Sequence, residues 1–201
     1  MATSSHPTRD RLIATMVELL DGDDPEHVTA EQVLTLSGIS KGSLYHHFDD
    51  FEDLTEAALV FRFSRTVDES IIGLTEMITH VSSREELMNA LKSFTKISQD
   101  PARRPYRLER ARAAGMTFSS HRFHVSLGEE QHRLTEAFTD LFTEVSNRGW
   151  LRSGVDPMTA AVFVQAYTIG RLIDDISPEK ISPEHWNTLI EMVIENVFLA
   201  D

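Results

Sequence analysis

Apolar residues along the chain recur every three or four positions almost throughout, and no strand-length stretch alternates cleanly. This pattern predicts an all-α fold. Leu12, Ile13, Met16, Val17, Leu19 and Leu20 make the first stripe, behind a candidate N-cap at Thr8 and ahead of the turn residues Asp21-Gly22-Asp23-Asp24-Pro25. Thr29-Ala30-Glu31-Gln32 is a capping box that should open a short helix running to about Leu36. Ser37-Gly38-Ile39-Ser40 then offers a glycine for a left-handed turn and a serine to cap the next helix, so a helix, a tight turn and a helix are expected.

The new helix, Lys41 to Phe48, is about two turns long. Leu44 and Phe48, spaced i, i+4, are its inward stripe, which leaves Lys41, Gly42, Ser43, Tyr45, His46 and His47 facing mostly outward. A surface of one cation, a glycine, a hydroxyl, a phenol and two imidazoles gains little from packing and reads as a contact surface. Asp49-Asp50 caps the following helix, whose stripe takes in Leu54, Ala57, Ala58 and Phe61 and continues through Val67, Ile71 and Ile72 to Ile78. A second capping box, Ser83-Arg84-Glu85-Glu86, precedes Leu87, Ala90, Leu91, Phe94 and Ile97. After Pro101 and Pro105 comes a helix with Arg107, Leu108, Ala111, Ala114 and Met116. A long helix follows, with Leu134, Ala137, Phe138, Leu141, Phe142 and Val145, and stops at Arg148-Gly149.

Asp156-Pro157 and Ser182-Pro183 begin the last two of about nine helices with a cap and a proline at the first helical position. Between Met158 and Ile173 apolar residues cover almost the whole circumference, and the final helix carries Trp186, Leu189, Ile190, Val193, Ile194, Val197 and Phe198. No later element follows to cover this pair. It is therefore expected to bury its surplus face against the same pair in a second copy, through Phe163, Tyr167, Trp186, Ile190, Val193 and Val197. The plainer alternative is that both are core helices of one chain.

Composition narrows the function classes. The chain of 201 residues has no cysteine, which excludes disulfides, thiol nucleophiles and cysteine-based zinc sites. Its longest apolar runs, at 57–61 and 160–164, are far short of a membrane span, so no membrane partner is expected. The polar start Met1-Ala2-Thr3-Ser4-Ser5-His6-Pro7 lacks the basic and apolar regions of a secretory signal, and the protein is expected in the cytoplasm. No nucleophile elbow, phosphate-binding loop, zincin motif or dinucleotide glycine pattern occurs, so no catalytic residue and no cofactor is assigned.

The run Thr29-Ala30-Glu31-Gln32-Val33-Leu34, followed by Ser37-Gly38-Ile39-Ser40-Lys41-Gly42-Ser43-Leu44-Tyr45-His46-His47-Phe48, resembles the TetR family of bacterial transcriptional regulators. The resemblance covers about the first 60 residues. It implies an N-terminal three-helix helix-turn-helix DNA-binding domain over 1–50 and a C-terminal helical bundle over 51–201 for effector binding and dimerisation. It further implies a homodimer formed by the last two helices, holding a double-stranded operator until a small-molecule effector changes the separation of the two heads. On the same basis Thr29 is a phosphate contact at a helix start, Lys41, Gly42 and Ser43 are the base-reading entrance of the recognition helix, and Tyr45, His46 and His47 touch phosphates and groove wall.

One position departs from the family, which commonly has a lysine three residues after the recognition helix where this chain has Phe51 among Asp49, Asp50, Glu52 and Asp53. The net charge is −13, and residues 1–65 carry Arg9, Arg11, Lys41, Arg62 and Arg65 against twelve acids. A DNA-binding head should offer a basic face, so modest, strongly salt-sensitive binding is expected. The rival reading is a co-regulator that keeps the helix-turn-helix shape and acts through a partner protein. An all-α enzyme has only the histidines in its favour.

Further along, Arg103, Arg104, Arg107, Arg110 and Arg112 are the densest basic cluster, and Arg107 or Arg110 could pair with a carboxylate of an anionic effector. Met77, Met116, Phe118, Phe138, Phe142, Trp150 and Tyr167 could line an apolar effector cavity, with His121 a candidate pocket histidine. His121 and His124, with Glu129 and His132, have metal-ligand character but no fixed fourth partner, so no metal is assigned.

Overall fold

The computed structural model describes residues 6–199. Positions 1–5, which bear on the reading of a leader, lie outside them. The fold is all-α: α1 (Pro7–Gly22), α2 (Ala30–Ser37), α3 (Lys41–His47), α4 (Phe51–His80), α5 (Arg84–Gln99), α6 (Arg104–Met116), α7 (His121–Asn147), α8 (Pro157–Gly170), α9 (Leu172–Asp175) and α10 (Pro183–Val193). A 3-10 turn, Pro101–Arg103, precedes α6, and a π-helical turn, Ile194–Phe198, extends α10. Beyond the nine helices expected, α9 is a single turn set off from α8 by Arg171 alone. The sole β-type pairing among the described residues is a bridge between Leu151 and Leu199.

Short polar side chains start these helices where the sequence puts them. Thr29, Ser40, Ser83, Asp156 and Ser182 each accept a hydrogen bond from the amide three residues on. Each such cap satisfies an orphan donor and is worth about 1 kcal/mol. The expectation at Thr8 is corrected: α1 opens at Pro7 after His6, because proline presets the helical φ and has no amide to cap. The long α4 also turns differently from its expected stripe. Leu59 and Leu74 are buried while Phe61 and Ile72 are exposed, as is Ile97 on α5. Where neighbouring positions are all apolar, periodicity cannot choose which one faces in.

The chain divides into two compact units, with boundaries inside α4 and α7. The first comprises the chain up to Thr66 together with Ser120–Glu130. Its core joins Leu12, Met16, Val33, Leu44, Phe48 and Leu54 with Phe123 and Leu127. Arg62 Nη1 donates to the Leu20 carbonyl at 3.1 Å and ties α4 to the last turn of α1.

The second unit, Val67–Ser119 with Gln131–Asp201, is built on Leu87, Leu91, Phe138, Phe142, Val145, Ala161, Val164, Ile194 and Leu199. Phe94 meets Phe138 edge-on, and Phe163 meets Phe198 at 5.3 Å between centroids. Two arginines fasten helix ends here. Arg148 Nη1 donates to the Val81 carbonyl at 2.6 Å. Arg107, fully buried, gives Nε and Nη2 to the two oxygens of Asp175 at 2.6 and 2.9 Å. Its Nη1 donates to the carbonyls of Ser98 and Asp100.

The bond from Arg107 comes first in holding the Asp175 carboxyl below its usual range, and nearby Arg171 and Arg104 act in the same sense. A depressed carboxyl pKa contributes stability that is complete above the ordinary carboxylate range and is lost as pH falls through the lowered value. Replacing Arg107 by Met leaves Asp175 buried and unpaired, so it should cost about 3–5 kcal/mol in urea denaturation at neutral pH. The deficit relative to wild type should shrink on the acid side as Asp175 protonates.

Candidate functional site

The site is built on the turn between α2 and α3. Gln32 closes its capping box on Thr29: its amide donates to Thr29 Oγ1 at 3.3 Å, and its Oε1 accepts from the Thr29 amide at 2.7 Å and from the hydroxyl at 2.9 Å. Gly38 takes the left-handed conformation, φ 67°, that lets the chain reverse. Ser40 then caps α3 by accepting from the Ser43 amide at 3.2 Å, and the two hydroxyls lie 3.0 Å apart.

Within α3, Leu44 is fully buried, as is Phe48 at its cap, while Lys41, Gly42, Tyr45 and His46 are exposed and Ser43 and His47 half-buried. Gly42 has no structural need to be glycine. A Cβ built there would meet only Ser40 Oγ, at 4.0 Å, so the position is open to whatever approaches the helix from outside.

A compact basic group flanks this surface. His6 and His47 stand edge to face with centroids 4.5 Å apart, His46 is 5.1 Å from His47, and the Arg9 guanidinium lies over the Phe48 ring at 5.2 Å. Desolvation, followed by the nearby His6, His46 and Arg9 side chains, holds the His47 imidazole below its ordinary value.

The acidic segment around Phe51 has a local purpose. Asp50 caps α4 by accepting from the Asp53 amide at 2.7 Å, and the Asp53 carboxylate accepts from the Asp49 amide at 3.0 Å. Arg122, from the start of α7, then reaches Asp50, Asp53 and the buried Glu56, with Nε 2.7 Å from Glu56 Oε2 and 3.3 Å from Asp53 Oδ1. The sequence gives no sign of this residue, since its partners lie some seventy positions away.

Of the seven candidate effector residues, His121 belongs to the first unit and the other six to the second, where their surroundings differ. Arg107 is committed to Asp175, with all three guanidinium nitrogens donating, and Phe118 is 98% exposed. Phe138, Phe142 and Tyr167 are buried, and the Tyr167 hydroxyl lies 3.0 Å from that of Thr95. Arg110 joins a polar network across α6, α7 and α8: its Nη2 donates to Gln131 at 2.7 Å, and Gln131 donates to Gln165 at 2.8 Å. His121 and His124 stack with centroids 6.5 Å apart, and no group of three metal-ligating side chains occurs among the described residues.

The candidate interface residues on the last helices differ in burial. Tyr167 and Ile190 are buried within their own unit, Trp186 and Val193 are half-buried, and Phe163 and Val197 remain exposed. The outward apolar residues are Met158, Val162 and Phe163 on α8, Leu189 and Met192 on α10, and Val197 beyond it, each 40–55% exposed. With apolar residues on every side, α8 could have presented any of several faces, and only packing selects this one.

No family profile matches the sequence, and no curated protein matches it. Solved structures do match its fold. A Mesorhizobium loti protein described as a TetR-family transcriptional regulator superposes with a TM-score of 0.72 at 16% identity, over 98% of this chain and all of that one. Salmonella enterica GusR gives 0.66 at 19% identity over 98% and 97%. A transcriptional regulator from Saccharomonospora viridis, solved in complex with choline, gives 0.66 at 15% identity over 96% and 98%. The chain therefore has the fold of the TetR-type transcriptional regulators, and no helix among its described residues is long and apolar enough to cross a membrane.

Arg122→Met should destabilise the first unit by about 1–3 kcal/mol, because the buried Glu56 carboxyl is left without its partner. Adding Glu56→Gln should recover much of that loss, and chemical denaturation of the single and double variants measures both.

Proposed function

We propose that this chain is a DNA-binding transcriptional regulator of the TetR family, a homodimeric repressor released from a palindromic operator by a small molecule. The first unit is its DNA-binding head and the second its effector-binding and dimerising body. The observation that carries this reading is the surface of α3. Seven residues are held by Leu44 and Phe48 alone, and the rest presents Lys41, Gly42, Ser43, Tyr45, His46 and His47 to a partner.

Lys41 and the open backbone at Gly42 suit base edges in a major groove. Thr29 at the start of α2, with Arg9 and the three histidines, suits phosphates. The exposed apolar faces of α8 and α10 suit a second copy, which would set two recognition helices about 34–36 Å apart or somewhat more. The rival co-regulator reading drew on the acids around Phe51. Arg122 engages two of the carboxylates around Phe51, Asp50 and Asp53, as well as the buried Glu56, which lessens their repulsion of DNA and favours the repressor.

Selection from a randomised duplex pool at two salt concentrations tests the proposal. A repressor enriches a palindrome and binds it more weakly at high salt, whereas no enrichment even at low salt favours the co-regulator. On the selected site Lys41→Ala should lower affinity and reduce the salt slope by about one. Gly42→Ala should separate folding from function: it raises stability by about 0.5–1 kcal/mol, as alanine does inside a helix, yet weakens operator binding by blocking close approach.

Binding should also depend on pH. The His47 pKa is depressed in the free protein, and nearby phosphates would raise it, so binding takes up protons. Affinity should therefore rise as pH falls from 8 to 6, by up to about tenfold per pH unit for each proton taken up. Fluorescence anisotropy at constant ionic strength reads this, and a flat profile would assign the histidines no part in phosphate binding.

A further inference from the structure

The second unit holds a polar cluster where the end of α5, the start of α6, the junction of α8 and α9 and the start of α10 come together. Arg107 ties the first three. It donates to the carbonyls of Ser98 and Asp100, on either side of Gln99, and grips Asp175, whose own amide donates to the Arg171 carbonyl at 3.0 Å. Arg171 in turn lies over the Trp186 ring, 5.7 Å from its centroid.

Arg171 is 7% exposed and Gln99 6%. Of the Arg171 nitrogens, Nη2 meets Asp174 Oδ2 at 3.1 Å, but Nε and Nη1 are buried with no hydrogen-bond partner. The same is true of Trp186 Nε1 and of both amide atoms of Gln99. Such groups are costly when left unpaired, and more so when charged. Arg107 is the contrast: in the same cluster it finds a partner for every nitrogen.

The unpaired hydrogens on Arg171 and Trp186 are all donors, about four in number. A water molecule accepts with two lone pairs, whereas a carboxylate offers about four acceptor sites and a full negative charge. Gln99 both donates and accepts, so it can hold a neighbouring polar group of the same molecule. We propose that Arg171, Trp186 and Gln99 form a buried site for the carboxylate of a small organic acid, and that such an acid is the effector, the second half resting on the regulator reading above. The Arg171 backbone is bonded to Asp175, and Asp175 to Arg107 on α6. An occupant that draws on Arg171 therefore pulls on the residue that fixes the start of α6.

The test uses the full-length protein and a matched panel: acetate, butyrate and benzoate, their primary amides, and sulfate. Melting temperature and isothermal titration should show binding of at least one carboxylate, tenfold or more tighter than its amide and than sulfate. Trp186→Phe, which removes one donor and keeps the ring, should weaken the acid several-fold and leave the amide unchanged. Arg171→Gln should abolish acid binding. Equal binding of acid and amide, sulfate binding as tightly, or no binding of any acid at millimolar concentration overturns the site and leaves ordered water as its occupant. Operator release is read separately. An acid that binds without releasing DNA keeps the site and overturns its effector role, while an unselective duplex pool overturns the regulator reading and leaves the site standing.

Discussion

A helix of seven residues cannot persist alone in water, because the cost of its first turn is not repaid over so short a length. α3 exists because Leu44 and Phe48 are withdrawn completely into a core made by α1, α2, α4 and the start of α7. Those two side chains, a left-handed Gly38 before them and a serine cap fix its position. This frees its outer surface for contact. The unforced glycine at position 42 belongs to the same logic, since it weakens the helix slightly and opens its backbone.

Charge is managed locally throughout a strongly acidic chain. The carboxylates that open α4 meet one arginine from α7, and the buried Asp175 meets another from α6. Each arrangement joins segments far apart in sequence, and each depends on planar guanidinium geometry that a lysine does not reproduce. The exception is Arg171, equally buried but only partly paired. Set beside the fully paired Arg107, the incomplete Arg171 is informative.

The two units illustrate different uses of apolar surface. In the first unit most of it goes into a core that holds short helices, with Leu36, Tyr45, Phe61 and Val125 left outside singly. In the second, α8 and α10 have more than their own unit can cover, and the excess lies in rows three or four residues apart. Rows of that spacing are what a second helix pair packs against.

Local chemistry was legible in the sequence. Capping boxes, the glycine turn, proline starts and the 3.6-residue stripe act within a few positions, so they fixed the all-α class, nearly every helix and the α3 surface before any packing was known. What lay beyond reach involved choices between equivalent neighbours or partners far along the chain. Periodicity could not decide that Leu59 rather than Phe61 turns inward, or that Tyr167 and Ile190 serve their own unit while Met158 and Leu189 face out. Nor could it distinguish arginines. Arg107 reads as an effector contact and is a strut, Arg122 gives no sign and anchors the start of α4, and Arg171 keeps unpaired donors in a buried place. An arginine's role is set by which carboxylate the fold brings within 3 Å of it, and only tertiary structure makes that choice.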